Sequence, residues 1–211
     1  MSGRRPFGAI LAGGASRRYG SPKALATVGG RRIIDRVHGA LLDVAVDPVL
    51  VANDETLFAD LGLQTRPDAR PGLGVLGGIL TALLWAREEG RAGTLAVACD
   101  MPFLSPALLR RLLSEADGAD IVAPESGGRR GVEPLCAYYG VGCIPAIEAE
   151  LARGERHIVG FFDDVVVRRV PRAEVLGYGD PDVLFLNVNT REEREHAERL
   201  AARRVEAEPG Y

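Results

Sequence analysis

Lys23, Arg18 and Asp100 are the residues whose types and settings best suit chemistry on a polyanion. Lys23 closes the segment Leu11-Ala12-Gly13-Gly14-Ala15-Ser16-Arg17-Arg18-Tyr19-Gly20-Ser21-Pro22-Lys23, where three glycines stand among two adjacent arginines and a lysine. Glycines let successive backbone N–H groups turn toward an anion with no Cβ in the way, and the cations offset its charge. The main chain at Leu11, Ala12, Gly13, Gly14, Ser16 and Gly20 is therefore the candidate cradle for a polyphosphate, with Arg18 and Lys23 as its cationic arms. This is not a Walker loop, because Ser21 and Pro22 separate Gly20 from Lys23 and Pro22 biases Ser21 away from helical geometry. The dinucleotide pattern G-x-G-x-x-G is also missing. An extended strap around the phosphates, with Lys23 reaching in from its far end, is the arrangement expected. For the glycines taken alone, an ordinary glycine-rich turn with surface arginines is the plain alternative.

Asp100 ends the apolar run Thr94-Leu95-Ala96-Val97-Ala98-Cys99 and precedes Met101-Pro102. A carboxylate at the mouth of a buried strand is costly unless it is paired or bound to a cation. Magnesium held by one or two carboxylates plus substrate phosphates satisfies it, so Asp100 is the candidate metal ligand; bracing the turn before Pro102 is the alternative. Asn53 and Asp68 close two further expected strands and are candidate nucleotide contacts, although both residue types are also common in turns. Asn187 and Asn189 share a period-two alternation that points them the same way at an expected strand end. Thr190 and Glu193 read as a capping box that opens a last helix. None of the three histidines, His38, His157 and His196, stands near a Ser or Cys in a triad-like pattern.

The elements that must position these groups alternate. Phe7–Ala12, Pro48–Ala52, Leu63–Arg66, Thr94–Cys99, Ile121–Ala123, Pro134–Tyr139, Val165–Val170 and Val183–Leu186 read as strands. Helical spacing marks Ile33 to Leu41, Val75–Arg87, Pro145–Arg153 and the last helix; Ser105-Pro106 supplies an N-cap and a first-turn proline for a helix through Ser114. Alternating strands and helices predict an α/β fold, a doubly wound and mostly parallel sheet that binds ligands at the carboxyl ends of its strands. The irregular stretch from Pro124 to Pro134, rich in Gly and Arg, reads as a mobile loop over the site.

At 211 residues and 46% hydrophobic, the chain is expected to form one domain with a proper core. A formal charge of −3 gives no global pull toward nucleic acid or membrane, so any polyanion site must be local. Cys99, Cys136 and Cys143 have no metal-type spacing and cannot all pair, which favours a reducing, cytoplasmic setting. No secretory leader or membrane-spanning run is evident, and a monomer is expected.

The glycine-rich segment is similar to the L-A-G-G-x-S-x-R-M-G-x-x-K signature of the nucleotidyltransferases that modify molybdopterin, matching at Leu11, Ala12, Gly13, Gly14, Ser16, Arg18, Gly20 and Lys23. Cys99-Asp100-Met101-Pro102-Phe103-Leu104 resembles that family's metal motif, and Glu133-Pro134-Leu135-Cys136-Ala137-Tyr138 its P-L-x-A-x-Y strand. Gly154-Glu155-Arg156-His157-Ile158 and Asn187-Val188-Asn189-Thr190 resemble its late motifs. Two positions depart from the pattern: Tyr19 stands for the usual Met, and Val75 for a proline. The resemblance implies a Rossmann-like nucleotidyltransferase fold, Mg²⁺ as cofactor, and GTP and molybdopterin as small-molecule substrates, with molybdopterin-carrying or molybdoenzyme-delivery proteins as further partners. It implies catalytic roles for Lys23, Arg18 and Asp100, nucleoside contacts at Asn53 and Asp68, and acceptor contacts at Asn187 and Asn189. Gly13 follows the guanylyl-transferring members, since cytidylyl-transferring ones tend to L-A-A-G. Cytidylyl transfer, transfer to another small phosphate, and a non-catalytic GTP-binding carrier are the alternatives.

Overall fold

The computed structural model describes residues 5–13, 25–44 and 46–207. The strands are β1 (Phe7–Leu11), β2 (Thr27–Val28), β3 (Arg31–Arg32), β4 (Asp47–Val51), β5 (Gln64–Arg66), β6 (Gly93–Ala98), β7 (Ile121–Pro124), β8 (Cys136–Gly140) and β9 (Val167–Val170). The helices are α1 (Ile33–Leu42), α2 (Gly74–Glu88), α3 (Pro106–Ser114), α4 (Ile144–Ala152), α5 (Arg172–Val175), α6 (Pro181–Leu184) and α7 (Arg191–Ala207). Seven strands form one sheet in the order β5-β4-β1-β6-β8-β7-β9, while β2 and β3 make a separate hairpin. Neighbours in the sheet run parallel except at β8, which is antiparallel to both β6 and β7.

Period-two alternation sorts the strand residues onto two cores. Ile10, Leu50, Leu95 and Val97 face a cluster with α1, α3 and α7, through Ile34, Leu109 and Ala197. Ala9, Val49, Val51 and Ala96 face a second cluster with Leu76, Ile79 and Leu83 of α2 and Ile147 of α4. Strands β1 and β6 are buried along their whole length, as a parallel sheet covered on both faces requires. The expected doubly wound, mostly parallel α/β sheet is thus the observed one, and Trp85 is core at 2% exposure.

Local signals set several boundaries. Ser105 Oγ accepts from Leu108 N at 3.4 Å and Pro106 fills the first turn of α3, as its sequence predicts. At α7, Glu193 N donates to Thr190 Oγ1 at 3.1 Å while the Glu193 carboxylate accepts from Thr190 N at 2.9 Å, a closed capping box.

Three expectations are corrected. Val183–Leu186 is not a strand: α6 occupies Pro181–Leu184, because Asp180 caps Asp182 N at 3.0 Å and Pro181 presets the first turn, outweighing the β-branched content. The strand end invoked for Asn187 and Asn189 therefore does not exist. The stretch from Pro124 to Pro134, expected as a mobile loop, is a loop closed at its base by Glu133 N to Pro124 O at 2.9 Å, Ser126 N to Gly131 O at 3.1 Å and a Glu125–Val132 bridge. Strand β8 accordingly begins at Cys136, two residues beyond Pro134, which has no N–H to give the ladder. Among the described residues, no helix is long and apolar enough to cross a membrane.

Candidate active site

The chain leaves β1 for β4 and β5 on one side, then returns to place β6 on the other, so strand order reverses between β1 and β6. In doubly wound sheets the crevice outside the carboxyl ends at such a point is where ligands bind. Leu11, Ala12 and Gly13 form the exit of β1 there. The ladder continues past the strand, with Ala12 N donating to Val51 O at 2.9 Å and Cys99 N to Leu11 O at 3.3 Å. Gly13 is exposed, and among the described residues a Cβ built on it would meet nothing within 4 Å. Gly14, Ser16, Arg18, Gly20 and Lys23 lie outside the described residues, as does Tyr19. On the far side, the β2–β3 hairpin is anchored from two elements: Arg36 Nε donates to Val28 O at 2.9 Å and Gly29 N donates to the Glu198 carboxylate of α7 at 2.8 Å.

Asp100 stands half-buried just beyond β6, beside the β1 exit. Its carbonyl accepts from Val188 N at 3.0 Å, which brings the Asn187–Asn189 segment to the same edge. Asn187 Nδ2 donates to Phe185 O at 3.1 Å, and Asn189 N donates to the Glu193 carboxylate at 2.6 Å, so the capping box of α7 also holds this segment in place.

Because β8 runs antiparallel to β6, its beginning arrives at the carboxyl edge of the parallel strands. The register pairs Val97 with Cys136, and Ala98 N still donates to Leu135 O at 3.0 Å; Asp100 and Glu133 follow just beyond these paired residues, near enough for the Asp100 charge to act on the Glu133 carboxyl. Burial pushes the Glu133 carboxyl above its usual range; the Leu135 N–H at 3.0 Å and Arg130 pull it down, and the Asp100 charge pushes it up again. Sequence reasoning places Glu133 only in a strand motif. Its part in the site depends on a strand direction that no local signal encodes.

Asn53 and Asp68 end β4 and β5 and meet directly: Asp68 N donates to Asn53 Oδ1 at 2.9 Å. Asp68 Oδ1 accepts from Arg70 N at 3.2 Å and lies 3.1 Å from the hydroxyl of Thr81 in α2. The carboxylate rests against the first turns of α2, where a Cβ on Gly77 would come within 3.2 Å of both its oxygens. The far end of this loop is pinned by Arg156, whose guanidinium donates to Gly72 O at 2.8 Å, giving the Gly154–Ile158 motif a structural task.

The sequence-predicted residues within reach of description thus gather on one edge of the sheet, with Leu11–Gly13 and Asp100 at its centre, Asn53 and Asp68 to one side, and Asn187 and Asn189 tied to Asp100. The histidines take no part. Among the described residues, no three His, Cys, Asp or Glu side chains converge as a metal cage.

The family model described as the MobA-like NTP transferase domain matches residues 8–168. The chain belongs to that family. This MobA-like NTP transferase is 40% identical over 183 residues to a probable molybdenum cofactor guanylyltransferase of Pelotomaculum thermopropionicum, covering 87% of each chain. It is 37% identical over 194 residues to a molybdenum cofactor guanylyltransferase of Desulfosudis oleivorans, covering 90% of this chain and 93% of that one. In structure it is similar to molybdopterin-guanine dinucleotide biosynthesis protein A of Archaeoglobus fulgidus, with a TM-score of 0.76 at 26% identity over 92% of this chain and 98% of that one. The span that identifies the MobA-like domain holds the β1 exit, Asn53, Asp68, Thr81, Asp100 and Glu133, whereas Asn187 and Asn189 fall beyond it.

Proposed function

We propose that this nucleotidyltransferase transfers GMP from GTP to the terminal phosphate of molybdopterin, forming the guanine dinucleotide form of the molybdenum cofactor. An oxygen of the acceptor phosphate bonds to the α-phosphorus of GTP, the bridge to the β-phosphate breaks, and pyrophosphate leaves with that bond's electron pair. The nucleophile is already an ionised phosphate, so no general base is needed, in keeping with a site built without histidine. The task is to bring two polyanions together and stabilise charge on the α-phosphate and the leaving group. The single observation that carries the reading is Asp100 beside the glycine exit of β1 at the point where strand order reverses, in a chain so similar to named guanylyltransferases.

The β1 exit from Leu11 to Gly13, continued through Gly14, Ser16 and Gly20, would cradle the triphosphate, with Arg18 and Lys23 offsetting its charge. Asp100 would hold Mg²⁺. The site fits such an ion, because the Asp100 charge acts on the nearby Glu133 carboxyl and a divalent cation would offset both. When bound, the cation would neutralise charge on the phosphate oxygens as the α–β bridge breaks. Asn53 and Asp68 would take the nucleoside, and Asn187 and Asn189 the acceptor. Among the described residues a methyl on residue 13 would meet nothing within 4 Å, which supports a glycine kept there for ligand.

The test is pyrophosphate release from purified protein with Mg²⁺, molybdopterin and each nucleoside triphosphate in turn. GTP alone is expected to support release. Release with CTP instead would overturn the base assignment, and binding of GTP without release under any condition would overturn the transfer.

A further inference from the structure

Thr81 is 4% exposed in a helix whose other buried residues are apolar or glycine, and a buried hydroxyl there is costly unless its bonds are made. Its oxygen accepts from Ala69 N at 3.0 Å. Its single hydrogen lies within reach of two acceptors, the Gly77 carbonyl at 2.9 Å one turn back in α2 and Asp68 Oδ1 at 3.1 Å. One hydrogen serves one acceptor at a time, and an ionised carboxylate is the stronger of the two. Thr81 thereby grips the β5–α2 loop at two successive residues, the Asp68 carboxylate and the Ala69 amide.

We propose that Thr81 is a positioning residue of the nucleoside subsite, its buried hydroxyl turning the Asp68 carboxylate so that Oδ2 faces ligand. The inference rests on the nucleotide-transfer reading above. Oδ1 is committed to Arg70 N and to the Thr81 hydroxyl, and Asn53 Oδ1 is committed to Asp68 N. Among the described residues, Asp68 Oδ2 accepts no hydrogen bond and Asn53 Nδ2 donates none. The committed bonds therefore leave one acceptor and one donor, on two residues already joined by a hydrogen bond, to meet a nucleoside that carries N–H or O–H donors beside an acceptor. Gly77 belongs to the same device, since a side chain there would press on both carboxylate oxygens. None of these atoms belongs to the residues assigned to the triphosphate, so losing the hydroxyl is expected to affect capture of the nucleotide more than the chemical step.

The test compares wild type with Thr81→Val, which keeps shape and loses the hydroxyl, and Thr81→Ser, which keeps the hydroxyl. Each is titrated with the four nucleoside triphosphates and assayed for pyrophosphate release. The expected result is that T81V raises Kd and KM for the preferred nucleotide about tenfold, the scale of a lost hydrogen bond to a charged group. Its kcat stays within about twofold, the KM for the acceptor is unchanged, and T81S is restored to wild-type affinity. A T81V protein that binds nucleotide as wild type does would overturn the inference and leave the guanylyl reading standing; so would equal losses in T81V and T81S, which would mean packing rather than the hydroxyl. Wild type that prefers CTP, with the same penalty in T81V, would uphold the positioning role while the guanylyl reading fell. Wild type that binds none of the four would overturn both. If T81V does not fold, T81A is read in its place with the same expectation.

Discussion

The two edges of the sheet handle charge in opposite ways. At the amino edge, opposite charges meet: the Arg91 guanidinium pairs with Asp47 at 2.7 Å, donates to Arg5 O at 3.0 Å and lies 4.0 Å over the Phe7 ring. At the carboxyl edge two acidic groups come near each other, Asp100 and the half-buried Glu133, and Asp68 keeps an oxygen free of described partners. A cavity of about 420 Å³ lies at the amino edge, lined by Arg5, Val46, Arg110, Leu113 and Tyr138 among others, away from the residues proposed for the site. The amino edge thus closes an ion pair within the protein, whereas at the carboxyl edge the Asp100 charge adds to burial in raising the Glu133 carboxyl.

The strongest way to break this contrast is to remove charge from the carboxyl edge. Asp100→Ala and Lys23→Ala are each expected to lower the rate of pyrophosphate release by at least about 10²-fold, the usual cost of one lost transition-state charge contact. Thermal unfolding should stay close to wild type if each residue acts on the ligand rather than on the fold. Wild-type-like turnover by either variant would remove the role given to that residue.

Substitution at the amino edge is expected to do the reverse. A Cβ on Gly93 would come within 2.2 Å of the Tyr139 carbonyl oxygen and 2.8 Å of the Tyr138 hydroxyl, where β6 and β8 pair. Backbone cannot yield as a side-chain tip can, so Gly93→Ala should cost at least about 1–3 kcal/mol of stability. The fraction that remains folded should keep its kcat. Denaturant unfolding together with active-site-normalised rates checks this, and a loss of kcat at unchanged stability would mean that the two edges are not separable.

How much of this was legible in the sequence follows from how local each signal is. Ser105-Pro106 and the Thr190–Glu193 box announce their helices because the cap and the N–H groups it serves lie within three residues. The apolar run before Asp100 announces a buried strand and an uncomfortable carboxylate at its end. Val183–Leu186 misleads because its β-branched and aromatic content speaks louder than the Asp180-Pro181 start just ahead of it. Glu133 and Thr81 are beyond local reading. The first matters only because β8 runs against its neighbours, and the second is the one buried hydroxyl of a largely apolar helix, meeting a loop thirteen residues earlier.

The finest test of the contrast is Glu133→Gln, read as stability against pH. With its carboxyl raised by burial, folded Glu133 holds a proton at pH values where the unfolded chain has released it. Through the window between the ordinary carboxyl value and the raised one, the native state carries more protons than the unfolded state, so its stability falls as pH rises. Glutamine keeps an acceptor oxygen for Leu135 N and removes the titration. E133Q is therefore expected to unfold at a higher temperature than wild type at pH 7, with the gap narrowing as pH falls below the ordinary carboxyl range. The amino-edge control, Asp47→Asn, removes the partner of Arg91 instead, and gives no such gain at neutral pH. An E133Q protein less stable than wild type at pH 7 would mean that Glu133 is held comfortably as an anion, and the contrast drawn from its raised carboxyl would fall.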